Sequence, residues 1–447
     1  MGFLDSLFAV SLGVRPLLSS IPVVASWVLP APSSKTIQHD VSFDLTTPHP
    51  SRKTLKRALP PPKPVPLPLE LVLSIIELAC YDNATADESL LKQCALVCRA
   101  WSAPAQRLLF SNVTLRTKPA CDAFSGAIDR STEHGRMLGD AVTRLRVVVD
   151  NNQPLGISQH VFAKTVAACP NLYELNLSLH GCGAPGQDFI GTPDMARLCC
   201  EVPSFDDETL ALLRDGPKIT ALEFNNWTEN QASVTQLLDV WPSLRALSMS
   251  GTPPQPPSPL LVPFACSLEQ VRMNFQKTPS ADFVNWLLHN SMDSLRILEL
   301  DREPSIHLLQ HLTSTHGASL HSLSLPLCST SEQVLAVQRC EELKELRVEH
   351  PVTSPQLFKA IPQGVHHIAL GLSRSSHLQA LVETVRSSKS LTDLSVVLYD
   401  GGDQHPLLPV LKMACASQGV ELRIMRDIQL FRSVMVRLVT FLFLTLF

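Results

Sequence analysis

Residues 295–325 read LRILELDREPSIHLLQHLTSTHGASLHSLSL. This stretch contains the template L-x-x-L-x-L twice, at 295–300 and at 320–325. The alternating leucines within each template are typical of a strand, whereas residues 305–317 between them have apolar side chains at helical spacing. The stretch therefore predicts a strand, a helix and a second strand.

The same template recurs along most of the chain. We find twelve copies, and their fourth positions, called markers below, are about 25 residues apart on average. Helix-like segments lie between copies, and Ser280, Ser331 and Ser354 are placed to cap three of them. A period of this length predicts stacked strand–helix units that share one parallel sheet, with the helices outside it. The copy at 195–200 is the poorest, and an insertion there is an alternative. The copies begin at residues 142, 172, 195, 219, 244, 268, 295, 320, 343, 365, 391 and 419.

A different kind of block precedes the repeats. Its sequence LPLELVLSII (67–76) has apolar residues at helical spacing and predicts an amphipathic helix. Thr85 and Glu88 match a capping box, which predicts the start of a second helix with Trp101 near its end. Pro104 lies near the start of a predicted third helix. Three short helices bury only a small core, so we expect this block to need neighbours or a partner.

Apolar or proline-rich segments flank these two blocks. Charges and prolines interrupt the apolar N-terminal stretch, and the most apolar C-terminal stretch, 434–447, has 14 residues, fewer than the roughly 20 that a spanning helix needs. The sequence leaves three roles open for residues 434–447: a packed cap, a weak membrane anchor, or a non-native end. We predict five segments: an apolar N-terminal segment (1–30), a Pro- and Ser-rich linker (31–65), the helical block (66–115), the repeats (116–427) and an apolar tail (428–447).

Composition and motifs exclude several classes of function. Of the 447 residues 45% are hydrophobic and the net charge is −4, so a large core is available and no basic footprint for nucleic acid exists. The twelve cysteines include no Cys-x-x-Cys pair, which favours buried, reduced thiols in an intracellular protein. His307 and His311 are four residues apart, but the glutamate of a zinc-protease motif is missing. We therefore predict no catalytic residues, no metal and no cofactor.

Residues 67–115 resemble an F-box. The rest of the chain resembles the leucine-rich-repeat region that often follows an F-box, especially in divergent fungal proteins. The repeats depart from that family because the Asn or Cys expected three residues after the last leucine of the template is mostly absent, with Cys328 as the match. The expected fold is thus α/β, with a short three-helix F-box followed by a leucine-rich-repeat solenoid. The residues that carry the F-box resemblance are Leu67, Pro68, Glu70, Leu71, Ile75 and Ile76, then LVCRAW (96–101) and LLF (108–110).

The resemblance implies a role in ubiquitin-dependent degradation, in the cytoplasm or the nucleus. An F-box binds the Skp-family adaptor of a cullin–RING ubiquitin ligase, and the repeats hold a protein substrate. The chain would then be a non-catalytic subunit of the ligase. For Val97 and Trp101, packing among the three helices is as good an interpretation as adaptor contact. The residues that would bind the adaptor or pack beside it are Leu67, Pro68, Leu71, Ile75, Leu96, Val97 and Trp101.

The substrate would bind the concave face of the sheet. Side chains at odd steps from a marker point away from the leucine core because strand side chains alternate. These positions carry both signs of charge, so no single-charge ligand is indicated, and a solvated face is the alternative. The strip that we predict for a substrate contains Arg272, Asn274, Glu299, Asp301, Arg347 and Glu349.

Two other functions stay open at this point. One is a non-catalytic repeat scaffold in which the F-box-like block has another use. The other is a membrane-associated protein held by its apolar ends. Adaptor binding and membrane fractionation separate these alternatives from the ligase subunit.

Overall fold

Three helices begin the described part of the chain. The computed structural model describes residues 68–434 except for 83–84, 154, 182–203, 229 and 256–261. Leu67 lies outside the described residues. The helices are α1 (Leu69–Cys80), α2 (Glu88–Val97) and α3 (Arg99–Ser111), and the short strands β1 (Tyr81–Asp82) and β2 (Thr85–Ala86) pair between the first two.

Two helix boundaries differ from the sequence prediction. Helix α2 begins at Glu88 and is capped by Asp87, whose carboxylate accepts a hydrogen bond from the Leu90 amide at 3.0 Å, whereas Thr85 lies in strand β2. The extended backbone of Cys98 (φ −161°) ends α2 and begins α3. Trp101 therefore belongs to the third helix and not to the second.

Twelve parallel strands form one sheet, and each pairs with its neighbours in the sequence. The markers lie in one register across the sheet, as in the pairs Leu298–Leu323 and Leu323–Leu346. The predicted parallel α/β arrangement is thus confirmed. The strands are β3 (Asn112–Leu115), β4 (Arg144–Asp150), β5 (Glu174–His180), β6 (Ala221–Trp227), β7 (Ala246–Gly251), β8 (Gln270–Phe275), β9 (Ile297–Leu300), β10 (Ser322–Leu325), β11 (Glu345–Val348), β12 (His367–Leu372), β13 (Asp393–Leu398) and β14 (Glu421–Met425).

The sheet departs from the predicted repeat at two places. Strand β5 pairs directly with β6 along seven residues, so the weak copy at 195–200, which lies outside the described residues, adds no strand between them. At the other end, β3 pairs with β4, so the sheet already begins inside the segment that the sequence assigns to the helical block.

Helices lie between successive strands except β7 and β8, where the described residues contain none, and most of these helices begin at a side-chain cap. Ser280 caps its helix as predicted, accepting from the Phe283 amide. The helix expected to begin after Ser331 is capped instead by Thr330 within a capping box. Ser354 caps no helix, because the helix there begins at Leu357. The helices are α4 (Lys118–Ala127), α5 (Glu133–Ala141), α6 (Gln159–Ala167), α7 (Asp207–Arg214), α8 (Ala232–Val240), α9 (Ala281–Leu288), α10 (Ile306–His316), α11 (Ser331–Gln338), α12 (Leu357–Ala360), α13 (Leu378–Ser387) and α14 (Leu408–Gln418).

A ladder of serine hydroxyls ties successive repeats together. In four repeats, a serine directly before the first template leucine donates to the carbonyl at the first template position of the preceding repeat, at 2.8–2.9 Å. This ladder satisfies backbone carbonyls in a fold that mostly lacks the Asn or Cys expected after each template. The four serines are Ser243, Ser294, Ser319 and Ser390.

One continuous core lies between the sheet and its helices. Among the described residues it contains the markers and the residues two positions after them, with Leu422 and Ile424 half-buried at its edge, packed against apolar helix residues such as Phe162 and Phe283. Eight cysteines have side chains that the structure describes; all eight are free and seven of them are buried. Burial raises the pKa of the Cys169, Cys328 and Cys340 thiols to about 12, so these three are protonated core residues.

Candidate functional site

The first two helices expose large apolar side chains. Leu71, Ile75 and Leu78 on α1 recur at helical spacing and are 52%, 45% and 82% exposed. On α2, Leu96 and Val97 are each 63% exposed. An exposed apolar stripe on a small helical block is typical of a surface that binds another protein.

A separate stripe on the same helices forms their internal core. Val72 and Ile76 of α1 are buried together with Leu91 of α2. Trp101 of α3 is half-buried and packs against this cluster. Helix α1 is therefore apolar on two faces, and in the part of the chain that the structure describes only one of them is buried.

The predicted adaptor residues fall into two groups. Leu71, Ile75, Leu96 and Val97 are exposed, and so is Pro68, whose carbonyl accepts the first amide hydrogen bonds of α1. Trp101 packs between the helices, which favours the packing interpretation for this residue. Leu67 cannot be placed, because it lies outside the described residues.

The opposite surface of the sheet carries the predicted substrate strip. We call it the polar face and define it by the residues at odd steps from the markers on β4–β14. Arg272 on β8 pairs with Asp301, which follows β9, at 2.8 Å. The side chain of Arg272 is 33% exposed and that of Asp301 is 3% exposed. Asn274 accepts a hydrogen bond from Arg302 at 3.2 Å.

A buried polar network continues from this pair along the polar face. Arg347 is 1% exposed and donates to Glu299 at 3.0 Å and to the Ser324 hydroxyl at 2.7 Å. Its remaining amino group donates to the backbone carbonyl of Arg432 at 2.7 Å. Arg347 and Glu299 are therefore covered by the protein itself, and neither solvent nor a substrate reaches them in this structure.

The chain's own C-terminal segment covers this part of the polar face. Residues 428–434 are helical, and Arg432 donates to both carboxylate oxygens of Glu349 at 2.6 Å. Phe431 and Val434 are buried in a small cluster that is separate from the main core. Residues 428–434 are thus packed against the sheet, whereas residues 435–447, which are nearly all of the stretch with three open roles, lie outside the described residues.

Two titratable side chains are buried beside this network. Burial raises the pKa of Glu345 to about 7, and the nearby Glu299 and Asp393 carboxylates act in the same direction. Burial lowers the pKa of His367 to about 4, and its Nε2 lies 2.9 Å from the Ser395 hydroxyl. Both are on the polar face of neighbouring strands, β11 and β12. Neither shift was predicted from the sequence.

The N-terminal half of the polar face is more open. Trp227 at the end of β6 is 42% exposed. Asn225 donates to Ser178 and Glu223 at 3.3 Å and accepts from Ser250, so these side chains are held in place across three strands. The sequence analysis did not single out Trp227, although a tryptophan at an odd step from a marker is a signal for an exposed contact residue.

Some other kinds of site receive no support within the described residues. No group of three or more His, Cys, Asp or Glu side chains there could hold a metal ion. None of the helices in that part of the chain combines the length and the apolar character that crossing a membrane requires.

Comparison with protein-family models and with curated proteins found no match to this chain.

Proposed function

We propose that this chain is the substrate-recognition subunit of a Skp–cullin–F-box ubiquitin ligase. In this proposal the block α1–α3 binds the Skp-family adaptor, and through it the cullin, while the strand–helix array binds a protein substrate. The chain itself is non-catalytic and acts in the cytoplasm or the nucleus. Two features support the proposal: the F-box-like sequence of the block, and its position directly before a repeated array.

The observation that carries the proposal is the unused apolar stripe on α1 and α2. Leu71, Ile75, Leu96 and Val97 are each at least 45% exposed although their neighbours Val72 and Ile76 are buried. Fully burying one aliphatic side chain stabilises a protein or a complex by roughly 1.5–3 kcal/mol. A partner that covers these four side chains thus gains a substantial binding energy, and the small block gains the neighbour that it needs.

The open half of the polar face is the part that a substrate reaches without displacing any described segment of the chain. There, Trp227 is an exposed aromatic anchor beside the fixed amide of Asn225. Arg146 on β4 adds an exposed positive charge. Aromatic and Arg side chains on a rigid sheet are typical of protein-binding hot spots.

Co-purification with a Skp-family adaptor tests the proposal. The wild-type chain is compared with a Leu71→Ala/Ile75→Ala variant and with the matched control Leu335→Ala/Met413→Ala. Leu335 and Met413 are 52% and 64% exposed on helices far along the chain, so the control removes similar apolar surface elsewhere. We expect the wild type and the control to capture the adaptor, and the α1 variant to lose at least about tenfold in affinity. If no form captures the adaptor, the scaffold function replaces the ligase subunit.

A further inference from the structure

The segment that covers the polar face has the size and contacts of a peptide ligand. Asp427 accepts hydrogen bonds from the amides of Gln429 and Leu430, which fixes the start of the helix 428–434. Phe431 and Val434, three residues apart, are the side chains that it buries. A short helix that presents apolar residues at this spacing is a common form of bound peptide.

The apolar half of the binding surface comes from the last three strands. Ala369 of β12, Val397 of β13 and Met425 of β14 receive Phe431 and Val434, and Tyr399 packs beside them. These positions carry small or apolar residues, whereas the same rows on earlier strands are mostly polar. The change in character coincides with the area that the segment covers.

The polar half of the surface selects an arginine. Arg432 forms two parallel hydrogen bonds to Glu349, a bidentate geometry that a lysine cannot reproduce. Arg347, itself buried, donates to the backbone carbonyl of Arg432. The surface thus contacts the side chain and the backbone of one residue and the apolar side chains on either side of it.

We propose that the polar face over β11–β14 is a binding site for a helical protein segment with the pattern Phe-Arg-x-Val. The chain's own residues 428–434 fill the site in cis, and a second protein that carries this pattern displaces them. The inference rests on the proposed function only in identifying that second protein as a substrate.

A tether of few residues makes the internal ligand effective. The segment follows β14 after Arg426 and Asp427, so its local concentration at the site is about millimolar or higher. A free peptide must compete with this local concentration. Its apparent affinity is its intrinsic affinity multiplied by the fraction of sites that the internal segment leaves open. Weakening the internal segment should therefore strengthen binding of the same segment added from outside.

Fluorescence anisotropy with a labelled peptide of residues 426–434, RDIQLFRSV, tests the site on full-length chains. In the Arg432→Glu chain, Glu349 repels the internal segment but still binds the arginine of the peptide. We expect this chain to bind the peptide at least about tenfold more tightly than the wild type does. The matched control is Arg426→Glu, the same change at an 80% exposed side chain, which should bind like the wild type. A peptide with glutamate in place of Arg432 should bind none of the three chains.

Two results overturn the inference. One is equal peptide binding, or none, by the wild-type and Arg432→Glu chains. The other is loss of cooperative unfolding in the Arg432→Glu chain, which would make the segment part of the folded core. Amide exchange on the unaltered chain gives an independent check: residues 428–434 should exchange faster than β13, and equal protection contradicts a displaceable segment.

The same variants separate this inference from the proposed function. Adaptor capture depends on α1–α3 and should be equal for the wild-type and Arg432→Glu chains. Peptide binding without adaptor capture contradicts only the ligase function. Adaptor capture without any peptide binding contradicts only the internal ligand.

Discussion

Arg347 and Glu299 form a buried ion pair that crosses the intervening strand β10 on the polar face. Their closest atoms, Nη2 and Oε2, are 3.0 Å apart, and the Ser324 hydroxyl of β10 accepts from the Arg347 Nε at 2.7 Å. Both side chains are at most 3% exposed. Burying an ion pair costs desolvation energy. Here the cost is offset because all three guanidinium nitrogens of Arg347 donate hydrogen bonds.

Replacing Arg347 alone should be strongly destabilising. In Arg347→Met, Glu299 loses its buried partner and stays in a site of low dielectric constant, so we expect the free energy of unfolding to fall by about 3–5 kcal/mol. Arg245→Met is the control, because Arg245 pairs with Glu269 at 3.5 Å on an exposed surface and should cost less than about 1 kcal/mol. Urea unfolding measures both.

A double variant tests the cause of this loss. Arg347→Met/Glu299→Met removes both charges and should recover most of the stability that Arg347→Met loses. If the double variant is as unstable as the single one, the loss comes from packing and not from an uncompensated carboxylate.

The dependence of stability on pH should reveal Glu345 and His367 as opposing terms. Because the folded-state pKa of Glu345 is raised to about 7, its contribution to stability is full below its unfolded value and is lost as pH rises towards 7. The lowered pKa of His367, about 4, acts in the opposite direction, since its contribution grows as pH rises from 4 to 6.5. In the wild type the two terms therefore oppose each other as the pH rises.

Glu345→Gln should remove the Glu345 contribution to the pH dependence and leave that of His367. Relative to the wild type, we expect this variant to gain on the order of 3 kcal/mol in unfolding free energy between pH 4.5 and pH 7. Glu341→Gln, the same change at an exposed side chain, should show no such gain. Urea unfolding at several pH values measures the difference, and a pH-independent difference would show that the burial of Glu345 does not shift its titration.

The sequence predicted the strands well because their signal is local and repeated. Within the described residues every marker except the half-buried Leu422 is a buried apolar residue. An apolar repeat of this period leaves few ways to stack the strands, so Leu298, Leu323 and Leu346 fall into one register. The serine ladder has a signal too, a serine directly before the first template leucine, which the sequence analysis overlooked.

Local sequence patterns could not predict that part of the polar face is covered. Alternation correctly places Arg347 and Glu349 on that face, but whether they are solvated depends on a segment 83 residues beyond Glu349. Such a contact depends on how the chain folds back over the sheet and on charge complementarity between the two parts. Neither is visible as a period, and the apolar tail by itself fitted three different roles.

Glycine is required at the end of β7. Gly251 has φ +90°, and a Cβ there would lie 2.0 Å from the Asn226 carbonyl oxygen. We expect Gly251→Ala to cost roughly 1–3 kcal/mol for the backbone conformation, and more for the clash. Gly419 has φ +70° at the end of α14, and a Cβ added there would meet no neighbouring side chain or backbone within 4 Å. Gly419→Ala should therefore lower the free energy of unfolding by only about 1 kcal/mol. Equal unfolding midpoints for the two variants would contradict the close approach of β6 and β7.

Variants at Val97 and at Trp101 should distinguish adaptor contact from internal packing. Val97 is 63% exposed at the end of α2, so Leu96→Ala/Val97→Ala should weaken adaptor capture at least about tenfold while changing stability by less than about 0.5 kcal/mol. Trp101 packs against the buried residues of both small helical clusters, so Trp101→Ala should open a cavity and destabilise α1–α3 by roughly 1–3 kcal/mol. Hydrogen exchange over residues 69–111 measures the stability, and co-purification measures the capture. If Leu96→Ala/Val97→Ala captures the adaptor as well as the wild type does, these exposed side chains do not form the docking surface.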